Sequence, residues 1–204
     1  MITPPCLPGH AQLRGLRALF MFACAGPALM LSGCGGSGSD TAPSTPVTQA
    51  PAVTPVELSV CGLSGFADRA LVRINQLRAA GANCGASGTF AATTPVPWNT
   101  LLTRAADAHS QDMAAKNYFS HTSQDGRDPG ARITATGYVW RTFGENIAAG
   151  YSTVDSVMDG WTASPGHCAN LMNPAFTELG LACVPGSSTT TYGNYWTMDL
   201  AAPR

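Results

Sequence analysis

The chain has 204 residues, of which 45% are apolar, 11% charged and 8% aromatic, with 22 Gly and 15 Pro. Eleven Lys and Arg against twelve Asp and Glu leave a net charge of −1, which excludes an electrostatic nucleic-acid binder; Gly and Pro without a repeat exclude a coiled coil or a collagen-like rod. So few charges with so much Gly and Pro fit an exported chain made of one ordinary domain with appended segments.

The appended segments come first. Arg14 and Arg17 precede an apolar run from Ala18 to Leu31, broken only by Gly26 and Pro27. The run matches a secretory h-region and falls short of the roughly 20 residues that span a bilayer. Leu31-Ser32-Gly33-Cys34 resembles a bacterial lipobox, which assigns residues 1–33 to a lipoprotein signal peptide and makes Cys34 the lipidated residue. The alternative is an ordinary signal peptide beside an unrelated Cys. Gly35, where Asp would retain a lipoprotein at the inner membrane, resembles the pattern sorted to the outer membrane of Gram-negative cells. Residues 34–56 are mostly Gly, Ser, Thr, Pro and Ala, with a single acid, Asp40. They have no apolar face to bury and are expected to form a disordered tether. The folded domain is then expected over 57–204, a monomer held at the cell envelope by its Cys34 lipid.

Within the domain, Phe66 to Ala80 places Ala67, Ala70, Leu71, Ile74 and Leu77 at helical spacing, and Gly81 offers a stop. Asn99 or Thr100 can cap a second helix from Leu101 to Lys116, with Leu102, Ala105, Ala106, His109 and Met113 on one face. His109 therefore belongs to the buried stripe. Pro129 to Thr136 predicts a short helix ended by Gly137, and Asn146 to Ala149 a strand or a turn. Thr153 is an N-cap for a helix from Val154 to Trp161. Glu178 to Val184 and Asn194 to Leu200 are strand-like, joined through the Ser- and Thr-rich stretch 186–193. The order predicts an α+β domain with a small antiparallel sheet covered by helices.

Cys61, Cys84, Cys168 and Cys183 form an even set in an oxidising compartment, so two disulfides are expected. Three connectivities are open. Cys61–Cys84 with Cys168–Cys183 is favoured because each pair brackets one short segment. A zinc site built from these Cys lacks the needed C-x-x-C spacing. The groups suited to chemistry are His121, Glu145, His167 and Glu178, each beside Gly, Pro or aromatic residues that set the local backbone.

Asn75-x-x-Arg78, Phe119-Ser120-His121, Gly144-Glu145-Asn146-Ile147 and Ser164-Pro165-Gly166-His167-x-x-Asn170 together resemble the bacterial branch of the CAP superfamily. That superfamily also holds cysteine-rich secretory proteins, antigen 5 and pathogenesis-related class-one proteins. The resemblance runs from about Leu71 to Leu200. It implies an α-β-α sandwich with a cleft lined by two His and two Glu. His121, Glu145 and His167 match three of these positions. Ser164 stands at the fourth, and Glu178 is the carboxylate that could replace it. The implied function is a binding module in which His121 and His167 hold a divalent cation such as zinc, or a small or lipidic ligand. The alternatives are a metal-assisted hydrolase with Glu145 as general base and a polar network that only ties loops together. No nucleotide or organic cofactor is expected.

Overall fold

The computed structural model describes residues 58–204; the segments expected to be a signal peptide and a tether, with Cys34, lie outside them. Helix α1, Phe66–Ala80, ends at Gly81 with positive φ. A two-strand ribbon follows, β1 (Ala82–Asn83) with β2 (Thr89–Phe90). Helix α2, Thr100–Lys116, starts at Asn99, whose side chain accepts from Leu101 N at 2.8 Å and Leu102 N at 3.2 Å. This cap satisfies two of the free amides at the helix start. Helix α3, Pro129–Ala135, is capped by Asp128, which accepts from Ala131 N at 2.7 Å.

Strand β3, Trp140–Ala149, begins well before the Asn146 expected from sequence. Helix α4, Val154–Ala163, opens with a capping box between Thr153 and Ser156. Helix α5, Pro165–Met172, is not expected from sequence, because Pro-Gly reads as a turn. Here Pro165 takes the first helical turn, where its missing N–H costs nothing, and Ser164 ends α4 and starts α5 at once. Strands β4 (Glu178–Pro185) and β5 (Asn194–Pro203) close the chain.

The three long strands form one antiparallel sheet in the order β3-β5-β4. Strand alternation separates two cores. Trp196, Met198 and Leu200 of β5 pack with Leu179, Leu181 and Cys183 of β4 against Phe66, Ala70 and Ile74 of α1, Val157 and Trp161 of α4 and Leu171 of α5. On the opposite face Ala201 meets Leu102 and Ala105 of α2 and Ile133 of α3, while Tyr195 and Ile147 meet Met113. Each large apolar side chain so enclosed contributes roughly 1.5–3 kcal/mol. The result is the sheet between two helical layers, α1, α4 and α5 on one side, α2 and α3 on the other. Gly180 makes the second contact close: a Cβ there would collide with the backbone of Leu102 and Thr103, so α2 rests its backbone directly on β4.

The two disulfides join Cys61 to Cys183 and Cys84 to Cys168, which corrects the pairing favoured from sequence. Nearness in the chain was a poor guide to nearness in the fold. Val60 bridges to Cys183, and Cys61 N donates to Cys183 O at 3.0 Å, so the segment before α1 lies along β4. Cys84 faces Cys168 of α5 in a small buried cluster with Met172. Among the described residues no helix is long and apolar enough to cross a membrane.

Candidate functional site

The site forms at the outer edge of β3, where both helical layers overhang an edge strand. An unprotected edge leaves backbone groups unpaired, and side chains from the first layer take them. Asn170 Nδ2 of α5 donates to Glu145 O at 3.2 Å, and Trp161 Nε1 of α4 donates to Ile147 O at 3.2 Å. Asn146 Nδ2 returns a bond to His167 O at 3.2 Å, and Asn170 also donates to Asn146 Oδ1 at 2.9 Å. The Gly-Glu-Asn-Ile and Ser-Pro-Gly-His-x-x-Asn segments are thus two halves of one clamp. Gly144 belongs to it by size, since a Cβ there would meet the Phe176 ring at 2.7 Å.

Asn75 and Arg78 brace the same layer from α1. Asn75 holds the loop before α2 through Val96 N and O, at 2.8 and 3.1 Å. Arg78, fully buried, donates to Thr94 O, Leu171 O, Asn173 O and Phe176 O at 2.7–3.1 Å. Two of these carbonyls cap the end of α5.

His121 comes from the opposite layer, on the loop between α2 and α3. Its Nδ1 lies 2.7 Å from Glu145 Oε1, with the imidazole half exposed and the Glu145 side chain only 2% exposed. Glu145 Oε2 is paired with Arg132 Nη2 of α3 at 2.5 Å. Arg132 Nη1 then donates to His121 O, Ser123 Oγ and Arg127 O at 2.9–3.1 Å. One guanidinium therefore fixes both the carboxylate that orients His121 and the loop that carries it.

His167, on α5, has its Nδ1 2.9 Å from Ser164 Oγ. Burial, and secondly the nearby His121, hold its pKa below the ordinary value. That electrostatic influence reflects their approach from the two sides of the β3 edge. Both imidazoles are thus anchored through Nδ1, and among the described residues neither Nε2 has a hydrogen-bond partner.

Ser164 stands where a second Glu was sought, and Glu178 does not replace it. Glu178 opens β4, on the far side of β5 from β3. Its Oε2 accepts from Tyr138 OH at 2.5 Å and Asn99 Nδ2 at 3.2 Å, so it ties the start of α2 to the loop before β3, and the Tyr138 hydroxyl is pushed well up by burial and this contact. His109 is fully buried; its Nε2 donates to Ser120 O at 2.9 Å and its Nδ1 lies 3.4 Å from Ser123 Oγ. Burial lowers its pKa, and it supports the His121 loop from beneath.

Sequence reasoning missed Arg132, Ser123 and Asp199, having looked for His and carboxylates in loops. Arg132 carried no local signal: successive residues of a helix point in different directions, so adjacency to Ile133 does not tell that the guanidinium faces inward.

Beside His167 a cavity of about 290 Å³ is lined by Phe119, Ile147, Tyr151, Trp161, Ser164 and Tyr192, among others. Phe119, in the loop after α2, and Tyr192, just before β5, meet edge to face at 5.8 Å. A larger groove of about 480 Å³ lies along α1 near Arg69, Arg73 and Asp155. Its arginines are consumed by ion pairs to Asp155 and Asp159, and it contains none of the cleft residues.

The profile of the cysteine-rich secretory protein family, CAP, matches residues 71–200. The Bacillus subtilis uncharacterized protein YkwD is 39% identical over 97 residues, 48% of this chain and 38% of that protein. A second Bacillus subtilis protein, the uncharacterized membrane protein YlbC, is 34% identical over 41% of this chain and 24% of its own length. The chain therefore spans well under half of these relatives. Among solved structures, an extracellular protein containing a SCP domain from Bacillus anthracis superposes with a TM-score of 0.50 at 26% identity, covering 67% of this chain and 41% of that one. An outer surface protein of Borrelia burgdorferi gives 0.50 at 17% identity, over 55% of this chain and 80% of its own, a likeness of fold.

Proposed function

The chain belongs to the CAP family of cysteine-rich secretory proteins, and from that premise we propose that it is an exported, lipid-anchored binding domain whose cleft takes a divalent cation or a small ligand between His121 and His167. One observation carries this reading. Both cleft imidazoles are held through Nδ1, by Glu145 and by Ser164, which leaves both Nε2 atoms uncommitted. A carboxylate on Nδ1–H is the arrangement that fixes the tautomer of a metal-binding His and raises its basicity.

The donor set suits zinc chemically and limits its strength. Among the described residues no group of three or more His, Cys, Asp or Glu side chains converges, whereas resident zinc sites use three or four protein ligands. Two imidazoles alone would hold an exchangeable ion, with water or a ligand in the other positions. A bound cation would supply a point of attachment for an oxygen or nitrogen of the ligand, and the adjoining aromatic cavity would receive its apolar part.

Zinc titration of the purified protein by calorimetry tests this. Affinity should rise with pH as the imidazoles lose their protons, because only neutral imidazole coordinates, and burial places the His167 part of that rise below the ordinary imidazole range. Glu145→Gln should weaken binding about 10–100-fold, and His121→Ala or His167→Ala should abolish it. Unchanged affinity in both His variants would exclude this cleft as the cation site.

Export is supported by the two disulfides and by the Bacillus anthracis relative described as extracellular. Anchoring rests on the lipobox ending at Cys34. Cys34→Ser expressed in a Gram-negative host should shift the protein out of the detergent phase of a Triton X-114 extraction. Equal partitioning of variant and wild type would remove the anchor.

A further inference from the structure

Directly across the sheet from Glu145 stands Asp199 of β5. Opposed residues on one face of an antiparallel pair have Cβ atoms about 4.5–5.5 Å apart, so the two carboxyl groups are neighbours beneath the cleft. Asp199 is fully buried, and neither of its oxygens has a hydrogen-bond partner. A buried carboxylate without donors is among the costliest groups a fold can contain. No N–H or O–H reaches Asp199, so the hydrogen bond open to it is one that it donates, and for that it must carry its own proton.

The surroundings favour this state. Glu145 lies opposite on β3, Gly180 is its partner on β4, Arg132 approaches from α3, and His109 stands on α2 on the same face of the sheet. Arg132 is the cation within the cluster, and its Nη atoms are spent on Glu145, Ser123 and two carbonyls. Its Nε has no acceptor. Burial lowers the His109 pKa and so disfavours a second cation there. One positive charge cannot balance two buried negative ones.

We propose that Asp199 is a buried neutral carboxylic acid that keeps its proton, donates a hydrogen bond to Glu145 and acts as a positioning residue for His121. With Arg132 on one oxygen and His121 on the other, the added bond from below pins the Glu145 carboxylate in one orientation. Glu145 then accepts Nδ1–H of His121 and leaves Nε2 as the lone pair presented to the cleft. The effect on Asp199 agrees: burial first, and the charge of Glu145 second, push its carboxyl well above the ordinary range, with Arg132 opposing them. The inference rests on His121 being the cleft ligand; its tests need no bound metal, so the zinc reading and this one can fail separately.

The test uses the full chain labelled with ¹⁵N-His and ¹³C-Asp. Infrared difference spectra of wild type against Asp199→Asn at pH 7 should show the carbonyl band of a protonated Asp. Nitrogen NMR should show His121 as the Nδ1–H tautomer in wild type. Asp199→Asn, whose amide can donate to Glu145, should keep it, while Asp199→Leu should give a mixture of tautomers. A protonated Asp199 also makes its own contribution to pH dependence. The unfolded chain releases this proton above about pH 4 and the folded chain retains it, so the folding constant should fall up to about tenfold per pH unit from there toward the folded-state pKa, relative to Asp199→Asn. Absence of the protonated band, with Asp199 ionised and linked to Arg132 Nε through water, would overturn the proposal. So would a folded Asp199→Leu protein with the wild-type His121 tautomer. If Asp199→Leu does not fold, the infrared band and the pH slope of Asp199→Asn decide.

Discussion

Arg78→Met is expected to destabilise the domain by about 3–5 kcal/mol in urea denaturation. The guanidinium is fully buried and has no carboxylate partner; four backbone carbonyls share its charge. Removing it strands acceptors from the loop before α2, from the end of α5 and from the turn leading to β4. Each buried carbonyl left without a donor costs about 1–3 kcal/mol, and relaxation recovers only part of the total. Set against the usual 5–15 kcal/mol of domain stability, this is a large share for a single side chain. Met keeps the apolar stem, so the loss reports the hydrogen bonds and not a cavity. Arg78→Lys should recover a minor part, since an ammonium has three donors but not the planar fork that reaches four carbonyls in different directions. A wild-type midpoint in Arg78→Met would mean that these carbonyls find water.

Much of the fold was written locally. The stripe Ala70, Ile74 and Leu77, the Asn99 cap and the Thr153 cap gave α1, α2 and α4 their positions because their signals are intrahelical. Helix α5 escaped because Pro165 and Gly166 signal a turn unless packed partners stabilise the helix; the partners are Asn146 of β3 at its first turn and Arg78 of α1 at its last. The early start of β3 escaped for a similar reason: Trp140 and Phe143 belong to the α3 contact, and only pairing with β5 draws them into the sheet.

The candidate site divides in the same way. His121, Glu145 and His167 were legible through motif resemblance, since spacings of this length have no local periodicity to exploit. Glu178 was a reasonable candidate by proximity to His167 in the chain, and it failed because β5 lies between β4 and β3. Arg132 and Asp199 were illegible for a physical reason: a buried charge is recognised by its partners, and these partners come from α3, β3 and β5. Strand alternation does place Asp199 on the same face as Thr197 and Ala201, so its burial could have been inferred, but not its neighbour Glu145.

Loss of the Cys61–Cys183 bond, as the double Ser variant, is expected to cost about 4–5 kcal/mol, because the bridged residues are 122 apart in sequence and the chain-entropy effect grows with loop length. The Cys84–Cys168 bond spans 84 residues, and the logarithmic dependence makes its expected cost only a few tenths of a kcal/mol smaller. The two bonds should differ in what else they control. Cys61–Cys183 fastens the segment before α1 to β4, remote from the β3 edge, so its removal should lower the denaturation midpoint and leave zinc affinity unchanged in the folded fraction. Cys168 adjoins His167 on α5, and its bond ties that helix to the β1–β2 turn. Replacing Cys84 and Cys168 by Ser should therefore weaken zinc binding as well as stability, because α5 then depends on Asn146, Asn170 and Arg78 alone to hold His167 against the β3 edge. Urea denaturation and zinc calorimetry on both double variants check the split. Equal zinc affinity in the two would show that the hydrogen-bonded clamp suffices to position His167.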